Sequence, residues 1–370
     1  MTTVLISGAS VAGPALAYWL QRRGFSPVVV ERAPDLRPGG QAIDIRGVAL
    51  EVISRMGLLP AVDAQRTRHK GVSVLDAHGK EQWRSEERTL SAGRFDSGDI
   101  EILKDDLTSI LYEATKSDVH YRFNDSVAGL EDAGDHLNVE FASGKREEFD
   151  IVVGADGIYS RIRRLIFGAH EDFLHHLGGY VGIFTAENFL GLKDWQIAIR
   201  GEESGMLVYP ALENTELRVF AGFQSEPLDR GLDIHGQKRA IAERCGKLGW
   251  EVPRLLREMA DSPAFFFGPI AQIRMPAYSK DRVCLVGDAA YCPSPASGQG
   301  TSLALVGSYI LAAELSQGDP QSAFERYHSR MRPFVEVNQA LATRERNERP
   351  SDEAIDHAKN AIQLGGFPEG

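Results

Sequence analysis

The chain is poor in cysteine, in positive charge and in long apolar runs. Three cysteines, Cys245, Cys284 and Cys292, in 370 residues exclude a disulfide framework. They form no CxxC pair and have no supporting histidine, so no metal site is expected. No apolar run approaches the roughly 18 residues of a membrane span. The most apolar early stretch, Val11 to Leu20, stops at Gln21-Arg22-Arg23. A strand-like run from Thr3 leaves no room for a signal peptide, so the expectation is a cytoplasmic protein without a membrane partner. Lys and Arg total 41 against 52 Asp and Glu, a formal charge of −11. That balance excludes general attraction to nucleic acid or anionic lipid. No repeat or low-complexity tract is present. Hydrophobic residues at 43% and charged residues at 25% exclude global disorder. The length exceeds the roughly 250–300 residues at which single cores stop growing, which suits two interleaved domains.

What is present reads first as a βαβ unit. Thr3 to Ser7 is a short strand, Gly8 to Gly13 a turn, and Pro14 sits in the first turn of a helix ending near Gly24. Ser26 to Val30 is a second strand with Glu31 at its end. A β-branched run entering a glycine turn and then a helix suggests a parallel sheet. Residues 46–59, 100–116 and 236–260 carry helical spacing, and Thr301 to Leu315 is a strongly apolar helix. The tail from 320 reads as helical, interrupted by Pro333 and Pro350. Asp150 to Val153 and Arg282 to Val286 are buried-type strands. Gln196 to Arg200, Met206 to Tyr209 and Leu217 to Phe223 alternate as in an antiparallel sheet.

Three motifs carry chemistry. In Gly8-Ala9-Ser10-Val11-Ala12-Gly13, the turn lets the backbone approach a pyrophosphate at a helix N-terminus, although Ser10 replaces the middle glycine of G-x-G-x-x-G. Glu31, 23 residues after Gly8, stands where an acid accepts from a ribose hydroxyl. The second motif, Gly154-Ala155-Asp156-Gly157, follows a buried strand. The third is Gly287-Asp288-Ala289-Ala290, followed by Pro293, Pro295, Gly298-Gln299-Gly300 and the apolar helix. Each of the last two, alone, is an ordinary strand-end turn.

Together, in this order, the motifs resemble the class A flavoprotein monooxygenases of the para-hydroxybenzoate hydroxylase type, over nearly the whole chain. The stretch Arg37 to Gly47 resembles the branch of tetracycline-inactivating and polyketide-tailoring enzymes. The resemblance implies an α/β fold: a Rossmann-like FAD-binding domain of the glutathione-reductase type, an inserted antiparallel-sheet substrate domain, and C-terminal helices. The expected boundaries are 1–70, 97–175 and 275–318 for the FAD-binding domain, 71–96 and 176–274 for the substrate domain, and 319–370 for the helical segment.

It also implies noncovalent FAD. Gly8, Ser10, Val11, Ala12 and Gly13 approach the pyrophosphate; Glu31 takes the ribose; Arg32 and the Val127 backbone lie by the adenine. Lys104 stands where the family commonly has an arginine facing the cofactor. Asp156 is associated with both FAD and the pyridine nucleotide. Asp288 takes the ribityl chain, and Pro295, Gly298, Gln299 and Gly300 wrap the isoalloxazine edge. Two further departures stand out: Tyr291 replaces the histidine of GDAAH, and Gly307-Ser308 replaces a common Asp-Ala.

With one dinucleotide fingerprint, NADPH or NADH is expected to bind transiently at the domain cleft. The family's flavin C4a-hydroperoxide then hydroxylates a phenolic or polycyclic aromatic small molecule with O2. No protein nucleophile is required, and His175-His176 is not a catalytic pair, since adjacent residues alternate faces on a strand. Substrate-pocket candidates are Arg46, Arg200, Tyr209, Pro210 and Phe223, with sheet packing or solvent exposure as the competing role. A Baeyer–Villiger outcome, a related reductase and a non-catalytic flavin-fold binding protein stand as alternatives. A halogenase is disfavoured by the absence of Trp-x-Trp-x-Ile-Pro. The expected assembly is a monomer or homodimer.

Overall fold

A computed structural model describes residues 1–229, 231–342 and 350–366. Parts of the expected C-terminal helical segment, 343–349 and 367–370, lie outside the described residues. The protein is an α/β structure with two large sheets.

The first sheet has six strands, in the order Ser279–Lys280, Val283–Leu285, Ile151–Gly154, Thr3–Ser7, Ser26–Glu31 and His120–Phe123. All but the Ser279–Lys280 edge pair in parallel. Their apolar runs are fully buried because helices cover them. The helices Ala12–Arg22 and Gly300–Leu315 pack together over this sheet, and the largest apolar cluster surrounds them. Gly300–Leu315 is buried on almost every side, as an unbroken apolar helix must be.

The second sheet has seven strands: Phe265–Ile273, Leu174–Glu187, Glu216–Gln224, Ser204–Ala211, Trp195–Arg200, Gly71–Asp76 and Glu81–Ser85. It is antiparallel except where Trp195–Arg200 runs parallel to Gly71–Asp76. A long excursion of chain separates those two strands, so the tight-turn constraint that enforces antiparallel pairing is absent. One face packs on the helices Ile234–Cys245 and Val252–Asp261 to form a second core. The opposite face looks toward the carboxyl ends of the parallel strands.

Four local expectations change. The 100–116 stretch is a strand, Ile100–Leu103, followed by a helix, Lys104–Glu113; the strand pairs with Ala42–Ile45, a partner that local periodicity does not see. The 46–59 stretch is the helix Val48–Arg55, followed by a separate helix, Leu59–Ala64. The 236–260 stretch breaks into two helices around Gly246 and Gly249. Pro333 does not interrupt its helix, which runs unbroken over Pro320–Ala340. Pro333 lies on the exposed face, where water satisfies the carbonyl freed one turn earlier. No helix among the described residues is long and apolar enough to cross a membrane.

Candidate functional site

The three motifs occupy neighbouring strand ends. Gly8 follows Thr3–Ser7, Ala155 follows Ile151–Gly154, and Gly287 closely follows Val283–Leu285, all at the carboxyl edge of adjacent parallel strands. Ligands bind at that edge in open α/β sheets. The turn at 8–13 is tight: a Cβ on Gly13 would fall 1.9 Å from the Gly8 carbonyl oxygen, so only glycine permits this entry into the helix.

Two helices start in this cleft without a side-chain cap. Ala12–Arg22 has Val11 before it and no acidic residue in its first turn. Gly300–Leu315 has Gln299 before it and again no cap or acid. By contrast, Ser160, Asp233, Asp319 and Ser351 each cap a helix elsewhere. Among the described residues, no acceptor takes the N–H of Ser10, Val11, Ala12 and Gly13, nor those of Gly300, Thr301 and Ser302. Free donors and the positive helix end together favour an anion. The two helices are joined near these starts: Ser308 Oγ, about two turns into Gly300–Leu315, reaches the Ala12 carbonyl at 3.0 Å, and the backbone at Gly287 abuts Ala12 and Ala304.

Charged side chains complete the cleft. Glu31 is buried and accepts from the Ala9 N–H at 3.0 Å and the Ala33 N–H at 2.9 Å. Burial alone would raise its carboxyl, but these N–H groups and the Arg37 guanidinium outweigh it and hold it below the usual range. Oε1 also accepts from Arg37 Nη2 at 3.3 Å, so Oε2 is the oxygen that keeps a second acceptor site for a ligand hydroxyl. Lys104, half-buried at the start of its helix, interacts electrostatically with both Asp288 and Glu31. Burial pushes its ammonium down, opposed chiefly by Asp288. Burial likewise pushes the Asp288 carboxyl up, and Lys104 opposes it. Asp288 faces Gly300, whose Cβ position lies 3.7 Å from Asp288 Oδ1.

Val127 begins the strand Val127–Asp132, just past Asp125, whose N–H donates to the Glu31 carbonyl, so it lies at the Glu31 end. Arg32 is exposed there and Pro295 is exposed at the other end. Gln299 is fully buried with neither amide atom hydrogen-bonded. Asp156 is turned to its own motif: its carboxylate accepts from the Ser160 hydroxyl and from the N–H groups of Arg161 and Ile162. Its carboxylate therefore braces the start of Arg161–Ile166.

The substrate-side candidates divide. Arg46 is buried, pairs with Asp44 at 2.7 Å and lies beside Gly298, whose Cβ position is 3.6 Å from Arg46 Nη2. Arg46 also donates to the Ser91 carbonyl, and the Ser91 hydroxyl accepts from Gln196 Nε2. Gln196 therefore ties the sheet face to the cleft wall. Tyr209 does the same, its hydroxyl accepting from the Ala42 N–H at 2.8 Å. Phe223 lies on the other face, stacked with Tyr180 and Phe267 in the second core, so it is no pocket residue. Strand alternation places Pro210 on that same far face, with Met206 and Val208. Only its carbonyl reaches the wall, 3.3 Å from His69 Nε2. Arg200 is on the near face but exposed at its strand end.

The sequence reading missed the buried group behind this wall. His69 Nδ1 lies 3.0 Å from Glu101 Oε1, and Lys359 pairs with Asp99 at 3.1 Å. Glu101 sits alone in the apolar strand Ile-Glu-Ile-Leu, and such an isolated acid was the available signal. His175 is exposed at its strand, which bulges between His176 and Gly179, and the two rings form no pair.

The donor set fits an anionic dinucleotide with a hydroxyl-bearing chain and a planar polar ring. It offers two uncapped helix starts, a ribose-type acid and an unpaired buried amide. The FAD binding domain family matches residues 1–341. An uncharacterized protein of Mycobacterium tuberculosis is 48% identical over 346 residues, 93% of each chain. A flavin-dependent monooxygenase of Legionella longbeachae is 41% identical over 341 residues, 91% of this chain and 86% of the relative. The crystal structure of tetracycline destructase Tet(51) superposes with a TM-score of 0.89 at 35% identity, covering 99% of this chain and 100% of that one.

Proposed function

The chain belongs to the family of flavin-dependent monooxygenases built on the FAD binding domain, and from that premise we propose that it oxygenates a phenolic or polycyclic aromatic molecule of tetracycline-like size. NADPH or NADH is the electron donor and O2 the oxygen source. The observation that carries the cofactor reading is the pair of uncapped helix starts meeting in one cleft. The substrate reading rests on the likeness to a tetracycline destructase.

In this reading residues 1–70, 97–175 and 275–318 hold the cofactor, and 71–96 with 176–274 hold the substrate. The N–H groups from Ser10 to Gly13 take the pyrophosphate, Glu31 the ribose, and Asp288 with Lys104 the ribityl side. Gly300 to Ser302 present their N–H groups to the pyrimidine edge, with Gly298 and Gln299 beside them. When bound, FAD supplies two-electron acceptance from the nicotinamide and the activation of O2. The protein orients the substrate and excludes water. Tyr209, Gln196 and Ser91 tie the sheet face to the Arg46 wall, and in this reading a water-excluded site beside them is where polar groups act strongly. The second nucleotide binds transiently, and the protein works in the cytoplasm, where that nucleotide is supplied.

The purified protein should be yellow and bleach with NADPH. Aerobic incubation with tetracyclines, anthraquinones and simple phenols, read by mass spectrometry, should give a product with one added oxygen atom drawn from labelled O2. Conversion under strict anaerobiosis, without oxygen gain, would replace this reading with a reductase.

A further inference from the structure

Tyr291 and Gly307 both depart from the resemblance's pattern, and the structure shows that they depend on each other. Tyr291 is the last residue of the single helical turn Asp288–Tyr291. Its side chain is 1% exposed and enters the apolar helix at Gly307. A Cβ at Gly307 would lie 1.9 Å from the Tyr291 hydroxyl, so any side chain there displaces the ring.

The gap lets Tyr291 reach Tyr327 on the long C-terminal helix, Oη to Oη 2.9 Å. Tyr327 donates its one proton to the Leu285 carbonyl at 3.1 Å. The hydroxyl proton between the rings therefore comes from Tyr291. Both phenols stay protonated, because burial raises their hydroxyls. Leu285 ends the strand before Asp288, and Tyr291 ends the turn after it. One fully buried tyrosine thus grips both ends of the segment that presents Asp288. Tyr278 packs edge-on against both rings, at 5.2 Å and 6.1 Å.

We propose that Tyr327, through Tyr291 in the gap left by Gly307, is a positioning clamp that fixes Asp288 toward the bound cofactor. The clamp rests on the FAD reading above.

The test compares Gly307→Ala, Tyr327→Phe, the double variant Gly307→Ala/Tyr291→Phe, and Asp288→Ala. FAD affinity is read by quenching of flavin fluorescence, and the flavin environment by visible circular dichroism. Thermal unfolding of the cofactor-free protein runs in parallel. Overpacking at Gly307 should weaken FAD binding about tenfold and change the dichroism. The double variant relieves the clash but also lacks the hydroxyl that meets Tyr327, so it should recover from the Gly307→Ala level only to that of Tyr327→Phe. Tyr327→Phe should weaken FAD about fivefold. If Gly307→Ala and Tyr327→Phe lower only the unfolding temperature and leave affinity and dichroism unchanged, the clamp is overturned, while loss of FAD in Asp288→Ala keeps the cofactor reading. If Asp288→Ala also binds FAD normally, Asp288 is no anchor and the clamp has nothing to position; the cofactor reading itself fails only if the unsubstituted protein binds no FAD.

Discussion

The Ser308 hydroxyl, about two turns into its helix, reaches the Ala12 carbonyl at 3.0 Å and so ties the body of one uncapped helix to the first turn of another far away in sequence. It also lies 2.8 Å from the Ala304 carbonyl, so one proton is shared between two acceptors. The angle between the two uncapped helix starts depends on this contact. Ser308→Ala should cost about 1 kcal/mol of stability and weaken FAD about fivefold. Urea unfolding and flavin titration measure the two separately. An unchanged FAD affinity would show that helix packing alone fixes the angle.

Asp44 should give the protein a pH-dependent stability. Burial pushes its carboxyl up to about 7; the Arg46 guanidinium opposes this, while Glu101 and Asp99 add to it. A folded-state acid with a raised value holds its proton more firmly than the unfolded chain does. Between about pH 4 and about pH 7 the folded protein therefore carries the extra proton, and this contribution to stability is lost as pH rises. Asp44→Asn should flatten that part of the profile. Urea midpoints of both proteins across the window check it, and an identical slope in the variant would reject the assignment.

Ser10 stands where the dinucleotide turn usually has glycine, and its hydroxyl makes no hydrogen bond among the described residues. Ser10→Gly should leave FAD affinity unchanged or tighten it. A weakening beyond about fivefold would mean that the hydroxyl bonds the cofactor.

Gly298 and Asp288 should separate electronic from anchoring roles. Gly298 has φ +66°, and a Cβ there would meet Arg46 Nη2 at 3.6 Å, an ordinary contact. Gly298→Ala should therefore fold at a conformational cost of about 1–2 kcal/mol. It should hold FAD with a more negative reduction potential, because the helix start is pushed from the ring it stabilises. Asp288→Ala should mainly lower FAD occupancy, by about tenfold or more. Spectroelectrochemical titration of the folded variants checks both. A wild-type potential in Gly298→Ala would remove the helix-end role.

Contiguous signals were the legible part of the site. The turn at Gly8 to Gly13, Glu31 and the Gly287-Asp288 turn announce themselves because each combines a β-branched strand, a glycine and a helix start within a short window. Ile100–Leu103 was hidden because Ile102 and Leu103 share helical spacing with Leu107, Ile110 and Leu111; its strand partner, Ala42–Ile45, is distant in sequence. Phe223 misled for another reason. Alternation identifies two faces of a strand but not which faces the site, and the helix Ile234–Cys245 claimed the Phe223 side. The His69–Glu101 and Lys359–Asp99 pairs lie behind the wall and join distant residues under no spacing rule, so only the fold brings them together.

The seven-stranded sheet also sets a timetable for synthesis. Gly71–Asp76 leaves the ribosome well before Trp195–Arg200, its parallel neighbour. At about 5–20 residues per second, the roughly 120 intervening residues mean a wait of roughly 6–24 s. During that wait Gly-Val-Ser-Val-Leu-Asp has only one ready partner, Glu81–Ser85. That partner is Glu-Gln-Trp-Arg-Ser, largely exposed in the finished protein, and its charges discourage another chain from adding to the nascent hairpin. The polar strand thus guards one of the hairpin's two edges while the other waits for Trp195–Arg200, and mutations that make it apolar should lower soluble yield before they affect the mature fold.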